Sequence, residues 1–285
     1  MIDCVLRLVA GLMLLVVSGC MHMAAVDPPP RSPDRCCTHG ERYPRWLVTM
    51  IEPTGPVTGR IFARISSRRG YLSSQNGAFA RMMSVLSPLD IILVKNGGSL
   101  SSNNIPGHFS HAIVYLGPDR ELRQLGVWRD KAANAHRTAI RGGKTMIEAD
   151  ARGVHLSTPA SIMNTDRLLV LRPEFAGRQC RLRTTLAFLE HLGTPFDFSF
   201  DSSEDTRLFC TELIDHVAPD LGLPSRTFYG RPTIFPDHLA EAATRPGSRL
   251  QPVLYLKGDL SGWRAANSRE LRLSLIHISE PTRPY

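Results

Sequence analysis

Runs of apolar and β-branched residues recur through the middle of the chain, and polar loops separate them. Runs of four to eight such residues, bounded by Gly, Pro, Asn, Asp or Ser, are typical of strands. The sequence therefore predicts strands at Asp90–Val94, His111–Gly117, Lys144–Ala149, Arg167–Arg172 and Pro252–Leu256.

Other segments place apolar residues three or four positions apart, which predicts amphipathic helices. Gln179–Gly193 and Thr211–Val217 fit this spacing. Val57–Met83 fits it in two pieces, because Gly70 and the polar cluster Ser73–Gly77 interrupt the pattern. Strands clustered between two helical regions predict an α+β domain.

The first 20 residues have the pattern of a bacterial lipoprotein signal. The apolar run Leu8–Val17 is shorter than the about 20 residues that a membrane span needs, and Val17–Cys20 resembles a lipobox. We predict a signal peptide over residues 1–19 and a lipid such as palmitate on Cys20, which anchors the chain without a spanning helix. A cleaved signal and a single membrane anchor are the alternatives. Met21 after the cysteine resembles Gram-negative lipoproteins of the outer membrane, so we expect this location, facing the periplasm.

The rest of the chain divides by composition. Residues 20–42 are Pro-rich and predict an extended tether, residues 43–85 predict a helical extension, and residues 86–260 hold the predicted main domain. Leu273–Arg283 resembles an in-frame translation of a transposase-type sequencing adapter. We therefore interpret residues 273–285 as a read-through artefact and set His277 aside as a site candidate.

The chain is basic, with a formal net charge of +8, but it has no run of five Lys or Arg residues. Dispersed positive charge favours attraction to anionic envelope surfaces, and no nucleic-acid partner is expected. The six cysteines include no CxxC pair, so neither a structural metal nor a cofactor is expected. A disulfide could join Cys36 or Cys37 to Cys180, or Cys180 to Cys210, and spacing does not choose between them.

Cys210 immediately precedes the predicted helix that starts at Thr211. Backbone N–H groups in a first helical turn carry partial positive charge, which stabilises a thiolate. Ser202, Ser203 and Asp205 are the expected sources of the helix cap. Cys210 is therefore a candidate nucleophile, and the alternative is an inert core cysteine.

A cysteine nucleophile needs a base and a group that orients that base. His111, at the start of a predicted strand, is the candidate base. Glu148 is the candidate orienting group, because its carboxylate interrupts an apolar strand and a buried charge requires a partner. Asp150, two positions along on the same face, is the alternative to Glu148. A structural histidine and a solvated glutamate are the plainer interpretations, and His108 is expected at the surface.

Five short segments, taken in order, resemble the YiiX/YebB-type permuted papain-like proteins, which are relatives of the NlpC-type cell-wall peptidases and of the lecithin:retinol acyltransferase group. The resemblance covers about residues 86–256, and its segments are Asp90–Leu93, Ser110–Val114, Ile147–Ala149, Pro195–Phe198 and Phe209–Leu213.

The resemblance implies a circularly permuted papain-like fold of NlpC type, with an antiparallel sheet packed on the cysteine helix. It makes Cys210 the nucleophile, His111 the base and Glu148 the orienting residue of a catalytic domain over residues 86–260. The backbone N–H of Cys210 would stabilise the oxyanion. Asp197 is implied to be structural or to line the pocket.

These features together predict an envelope-anchored thiol hydrolase, an amidase or peptidase that forms an acyl-thioester. Cell-wall peptide amides are the substrate that the cell-wall relatives imply. The acyltransferase relatives imply lipid acyl hydrolysis or transfer instead. A non-catalytic envelope lipoprotein that binds a ligand is the alternative of a different class.

Overall fold

The computed structural model describes residue 50, residues 52–202 and residues 206–277. The predicted signal peptide, Cys20, the tether and the pair Cys36 and Cys37 lie outside the described residues. Within the described part of the chain, every helix is too short or too polar to cross a bilayer.

Antiparallel strands form the centre of the fold. The strands are β1 Ile91–Lys95, β2 His111–Tyr115, β3 Met146–Asp150, β4 Gly153–Ser157, β5 Arg167–Pro173, β6 Arg226–Phe228, β7 Arg231–Thr233, β8 Leu250–Asp259 and β9 Gly262–Ala266. The main sheet has the order β4-β3-β2-β1-β5-β8-β9, and β6 and β7 form a separate hairpin. Every neighbouring pair in the main sheet is antiparallel.

Helices cover both faces of this sheet. The α-helices of the described residues are α1 Gly55–Phe62, α2 Asn76–Val85, α3 Leu100–Asn104, α4 Asp119–Leu125, α5 Arg137–Arg141, α6 Gly177–Glu190, α7 Cys210–Val217, α8 Pro236–Ala243 and α9 Ser268–His277. Short 3₁₀ turns join several of them.

Two hydrophobic clusters lie on opposite faces of the central strands. Ile91 and Leu93 of β1 belong to the cluster that includes α6, α7 and α8, whereas Ile92 and Val94 belong to the cluster that includes α2. Successive side chains of a strand point to opposite faces, so a strand covered on both sides must be apolar at every position. This is why the central strands read as unbroken apolar runs in the sequence.

The strands and helices that the sequence predicts are present, with ends that move by a few residues. The long N-terminal helical pattern is interrupted, as expected, and forms α1 and α2. The sequence did not predict β4, β9, the hairpin of β6 and β7, or the helices α3, α4, α8 and α9. Residues 273–277 continue α9, and Leu275 is buried against the core.

Candidate active site

His111 is the first residue of β2, where a loop joins the sheet. It pairs with Val94 of β1, and alternation along β2 puts it on the same face as Ile113. Its side chain is about one-quarter exposed, at 25%. The imidazole therefore lies at the edge of the sheet, partly open to solvent.

Glu148 lies on the neighbouring strand β3, opposite Ile113 of β2 and His155 of β4. This register makes Glu148 a diagonal cross-strand neighbour of His111, close enough for direct contact between long side chains. Nε2 of His111 lies 2.7 Å from Oε2 of Glu148. Nε2 of His155 lies 3.6 Å from the other carboxylate oxygen, Oε1. The structure thus brings Glu148 against two imidazole rings.

Cys210 is the first residue of α7, with Phe209 at the N-cap position. The Glu212 carboxylate accepts a hydrogen bond from the Phe209 backbone N–H at 3.2 Å and so stabilises the helix start. Ser202, one of the expected cap residues, does not cap the helix, and the other two, Ser203 and Asp205, lie outside the described residues. Leu213, on the inner face of α7, anchors the helix in the core.

The Cys210 thiol and the His111 imidazole line the same cavity, and their interaction raises the pKa of His111. Because Glu148 contacts Nε2 of the His111 ring, Nδ1 is the nitrogen that remains for the thiol. Cys210 is only 5% exposed, yet it lines the cavity described below. Thiol, imidazole and carboxylate therefore meet at one cavity wall, with the imidazole bonded to the carboxylate and beside the thiol.

The electrostatics of the pair favour a charged imidazole beside a charged carboxylate. Burial alone would lower the pKa of His111, but hydrogen bonds with Cys210 and Glu148 raise it well above its ordinary value of 6.5. Burial would likewise raise the pKa of Glu148, but the hydrogen bond with His111 and the nearby His155 ring hold it well below the ordinary value of 4.5. The imidazolium that forms when the neutral His111 ring accepts the proton of the Cys210 thiol is thus stabilised.

The loop that leads into His111 is held by a buried carboxylate. Asp237, near the start of α8, is 2% exposed and accepts the backbone N–H groups of His108 and Phe109, each at 2.7 Å. Gly107 has φ = +115°, and a Cβ there would approach Oδ2 of Asp237 to 2.4 Å. Only glycine allows this close approach, so Gly107 and Asp237 together fix the path of the chain toward His111.

His108 is buried rather than at the surface, so that expectation was wrong. Nη1 of Arg167 donates to Nδ1 of His108 at 2.9 Å, and Nε2 of His108 lies 2.6 Å from the Tyr255 hydroxyl. Burial and the charge of Arg167 lower the pKa of His108 to about 3. His108 is therefore a neutral structural residue that links the loop to β5 and β8.

Asp150 does not replace Glu148 beside His111. The Asp150 carboxylate is paired with Arg152, whose Nη2 lies 2.6 Å from Oδ2. Glu148, Asp150 and His155 offer donor atoms that all lie within 4.8 Å of one another. Since Arg152 and His111 already contact the two carboxylates, we assign no metal to this group.

A cavity of about 550 Å³ surrounds the three residues. One wall is polar, with serine and asparagine side chains that include Ser102 and Asn104. Another wall is aromatic and consists of Phe196, Phe198 and Phe200, with the Phe196 ring centroid 4.9 Å from that of Phe198 and 5.9 Å from that of Phe200. The cavity can therefore accept a substrate with both polar and apolar parts.

Buried hydrogen bonds hold the aromatic wall in place. Asp197, which is 1% exposed, accepts from the Ser199 and Asp201 N–H groups at 2.8 Å each. Phe200 adopts a left-handed backbone with φ = +53°, and the Thr233 hydroxyl donates to its carbonyl at 2.8 Å. Such backbone strain in a non-glycine residue persists only where the surroundings enforce it. Asp197 is structural here, while its aromatic neighbours line the pocket.

Cys180 lies on α6, and it and Cys210 are free cysteines in the described part of the chain. The disulfide between Cys180 and Cys210 that the sequence left open is therefore not formed. Any pairing with Cys36 or Cys37 lies outside the described residues.

The family model of permuted papain-like amidase enzymes, the YaeF/YiiX or C92 family, matches residues 86–252, more than half of the chain. The chain belongs to this family. Membership confirms the resemblance read from the sequence and, with the mixed helices and antiparallel sheet, the permuted papain-like α+β fold. It makes this C92-family chain a thiol hydrolase of the peptidase or amidase type.

One solved structure is similar to this C92-family chain, the crystal structure of metalloprotein yiiX from Escherichia coli O157:H7. The two are 18% identical, the match covers 59% of this chain and 97% of the other, and the TM-score is 0.43. No curated protein matches the chain.

Two residues of the site were missed by sequence reasoning. His155 alternates with apolar neighbours in β4, so its pattern was available, but β4 itself was not predicted. Asp237 follows Phe235 and Pro236, a combination that signals a helix start. Its partners lie 128 and 129 residues away along the chain, and no local pattern reveals them.

Proposed function

We propose that this C92-family chain hydrolyses amide bonds by nucleophilic catalysis through Cys210, His111 and Glu148. The observation that carries the proposal is that these three side chains meet at the wall of one cavity, where the His111 imidazole is hydrogen-bonded to Glu148 and interacts with the Cys210 thiol. Acyl transfer by a thiol requires a nucleophile, a base that accepts its proton and a carboxylate that orients the base. A binding protein has no need of such an arrangement, so the non-catalytic alternative is less well supported.

The proposed reaction has two steps. His111 takes the Cys210 proton, the thiolate attacks the substrate carbonyl carbon, and the C–N bond breaks as His111 returns the proton to the leaving amine. Water, activated by the same imidazole, then cleaves the thioester and releases the acid. Glu148 keeps the imidazole in one orientation and stabilises its charged form.

The oxyanion formed in each step needs hydrogen-bond donors. The first N–H groups of a helix have no acceptor within the helix, and Cys210 is the first residue of α7. We propose that the Cys210 backbone N–H is one donor, as in other enzymes where such groups stabilise acyl-transfer intermediates.

For substrate and location, we propose peptide amides of the cell wall and an envelope protein anchored through a lipid on Cys20, in the outer membrane and facing the periplasm. The support for location is the lipobox-like Val17–Cys20 and the short apolar run before it. The polar wall of the cavity suits a peptide backbone, since its hydroxyl and amide groups can pair with backbone donors and acceptors.

A second candidate function is hydrolysis or transfer of an acyl group from a lipid. The aromatic wall of Phe196, Phe198 and Phe200 favours it, because three phenylalanines beside the nucleophile suit an apolar chain. The thiol chemistry is the same for both candidates, and only the substrate differs.

Trapping of the acyl-enzyme tests both candidates. The full chain is mixed with cell-wall peptide amides or with phospholipids at mildly acid pH. The reaction is quenched within milliseconds to seconds, and the mass of the protein is measured by mass spectrometry. A thioester mapped to Cys210 identifies the substrate class by the added mass. Absence of any adduct from both panels, with product formed at equal rates by the Cys210→Ala variant, would overturn the proposal.

A further inference from the structure

Exposed apolar side chains concentrate at one end of the described chain. Seven large hydrophobic residues of the described chain are more than one-third exposed, and five of them fall within residues 50–65. These five are Met50, Val57, Ile61, Phe62 and Ile65. No residue of α1 is buried. A cluster of this kind marks an interaction surface, whereas single exposed apolar residues need no explanation.

The two faces of α1 differ in what they contact. Gly55, Gly59 and Phe62 line the Cys210 cavity, and a Cβ on Gly59 would come within 2.5 Å of the Phe198 ring. Helix geometry turns each residue by about 100°, which places Val57 and Ile61 on the side away from this cavity. Val57 and Ile61 therefore lie on the outside of the cavity wall and not in the substrate site.

The same outer side is positively charged. Residues 53–89 contain five arginines and no aspartate or glutamate. Arg60 is exposed on the side of α1 that carries Val57 and Ile61, and Arg64 is exposed in the turn that follows the helix. Helices that lie in a membrane interface combine apolar side chains with flanking Arg or Lys, and anionic lipid headgroups attract the charged groups.

The position in the chain suits a membrane partner. Cys20, the predicted lipid site, precedes Gly55 by 35 residues. A random coil of 35 residues has an average end-to-end distance of roughly 30–35 Å, which sets the scale of the distance between α1 and a bilayer that holds the lipid. Electrostatic and apolar contacts could then act on a helix that is already held at high local concentration.

We propose that Val57, Arg60, Ile61, Arg64 and Ile65 form a docking face for the surface of an anionic phospholipid membrane. Docking there places the wall of the Cys210 cavity on the bilayer, so the cavity lies about one helix diameter, about 10–12 Å, from lipid. The proposal concerns attachment and does not depend on the catalytic role of Cys210.

Depth-dependent quenching of a tryptophan tests this docking face. Ile61→Trp is introduced in the full lipidated chain carrying Cys210→Ala, and the chain is reconstituted in phosphatidylcholine vesicles with or without phosphatidylglycerol. Lipids brominated on their acyl chains are the quencher. Leu260→Trp is the matched control, since Leu260 is 91% exposed at the turn between β8 and β9. The signal of the chain without an added tryptophan is subtracted.

We expect at least about threefold stronger quenching for Ile61→Trp than for Leu260→Trp in the anionic vesicles. Added Arg60→Glu and Arg64→Glu substitutions should remove most of this difference. Equal quenching at both positions would overturn the proposal, because the lipid anchor alone would then hold the chain. An Ile61→Trp emission already shifted to the blue in detergent would also overturn it. If this blue shift depends on protein concentration, the face contacts a second copy of the chain. If the blue shift is independent of protein concentration, the face contacts residues 1–49.

Discussion

Nε2 of His111 lies 2.7 Å from Oε2 of Glu148, although 37 positions separate the two residues in the sequence. The contact spans two neighbouring strands, β2 and β3, and their register sets it. Because Glu148 takes one nitrogen of the ring, it directs the other toward Cys210. Most of the chemistry proposed for this chain depends on that orientation.

Glu148→Gln keeps the size of the side chain and removes its charge. We expect kcat to fall by about 10²–10⁴-fold, because the imidazolium loses its charged partner, the Glu148 carboxylate, and the ring is no longer held in one orientation. Asp150→Asn is the matched control on the same strand, and we expect a change of less than about threefold because Asp150 pairs with Arg152. Steady-state kinetics on the trapped substrate class measure both. Equal losses in the two variants would contradict the assignment of Glu148.

The pair also predicts how stability varies with pH. The lowered pKa of Glu148 contributes stability above about pH 4.5, its ordinary value, and this is lost as the pH falls through the folded pKa. The raised pKa of His111 contributes stability below about pH 6.5, which is lost as the pH rises through the folded pKa. The stability difference between the parent chain and Glu148→Gln should therefore be largest between about pH 4.5 and 6.5.

Urea unfolding at several pH values measures this difference. A difference that stays constant from pH 4 to pH 9 would contradict the charged pair. Asp150→Asn again serves as the control, because its exposed ion pair with Arg152 contributes little.

Asp237→Asn tests whether the Asp237 carboxylate holds the loop that leads to His111. Asparagine offers one acceptor oxygen for two N–H donors, so we expect a loss of about 1–3 kcal/mol of stability and a lower kcat, as His111 is no longer held. The exposed Asp220→Asn is the control and should change neither. An Asp237→Asn variant with the kcat of the parent chain would show that these hydrogen bonds do not position His111.

Asp237→Asn should also change how the free energy of unfolding varies with pH. Burial raises the pKa of Asp237 to about 6, despite the opposing hydrogen bonds from Phe109 and His108. A carboxyl with a raised folded pKa lowers stability as the pH rises from about 4 through 6, because the folded state must release a proton that the unfolded state has already lost. Asp237→Asn should remove this downward slope, which unfolding measured at pH 4, 5, 6 and 7 will show.

Arg172→Ala probes the fold without touching the site. Arg172 forms two hydrogen bonds, at 2.9 Å and 2.7 Å, with the carboxylate of Asp90, which is 1% exposed. Loss of this partner leaves a buried carboxylate, and we expect about 1–3 kcal/mol of destabilisation with kcat unchanged. Arg123→Ala breaks an exposed pair with Asp119 and should cost less than about 0.5 kcal/mol. Equal losses of stability in the two variants would contradict the claim that burial of Asp90 makes its ion pair the more important one.

Much of the fold was predictable because the central strands are apolar on both faces. The helix that carries Cys210 was predicted from Thr211 to Val217, and the structure adds only Cys210. The cap was not predictable, since Glu212 acts from inside the helix while Phe209, an apolar residue, occupies the N-cap position. Local pattern alone favours Ser or Asp as a cap, and tertiary packing overrides it.

The site was predictable only where its residues have local patterns. Cys210, His111 and Glu148 stand out as polar positions within or beside apolar elements. Asp237 bonds to backbone groups far away in sequence, and the apolar outside of α1 becomes evident only when the cavity-facing side is known. Long-range contacts of this kind follow from topology and not from residue type.

The most direct test of the account is the rate at which Cys210 reacts with a thiol-specific amide probe. The full chain is labelled between pH 5 and 9, and mass spectrometry resolves Cys210 from Cys180, a partly exposed free thiol that serves as an internal reference. We predict that Cys210 reacts at least about tenfold faster than Cys180 below neutral pH, and that His111→Ala removes this advantage. A Cys210 that reacts no faster than Cys180 at any pH, and equally in His111→Ala, would contradict its role as the nucleophile.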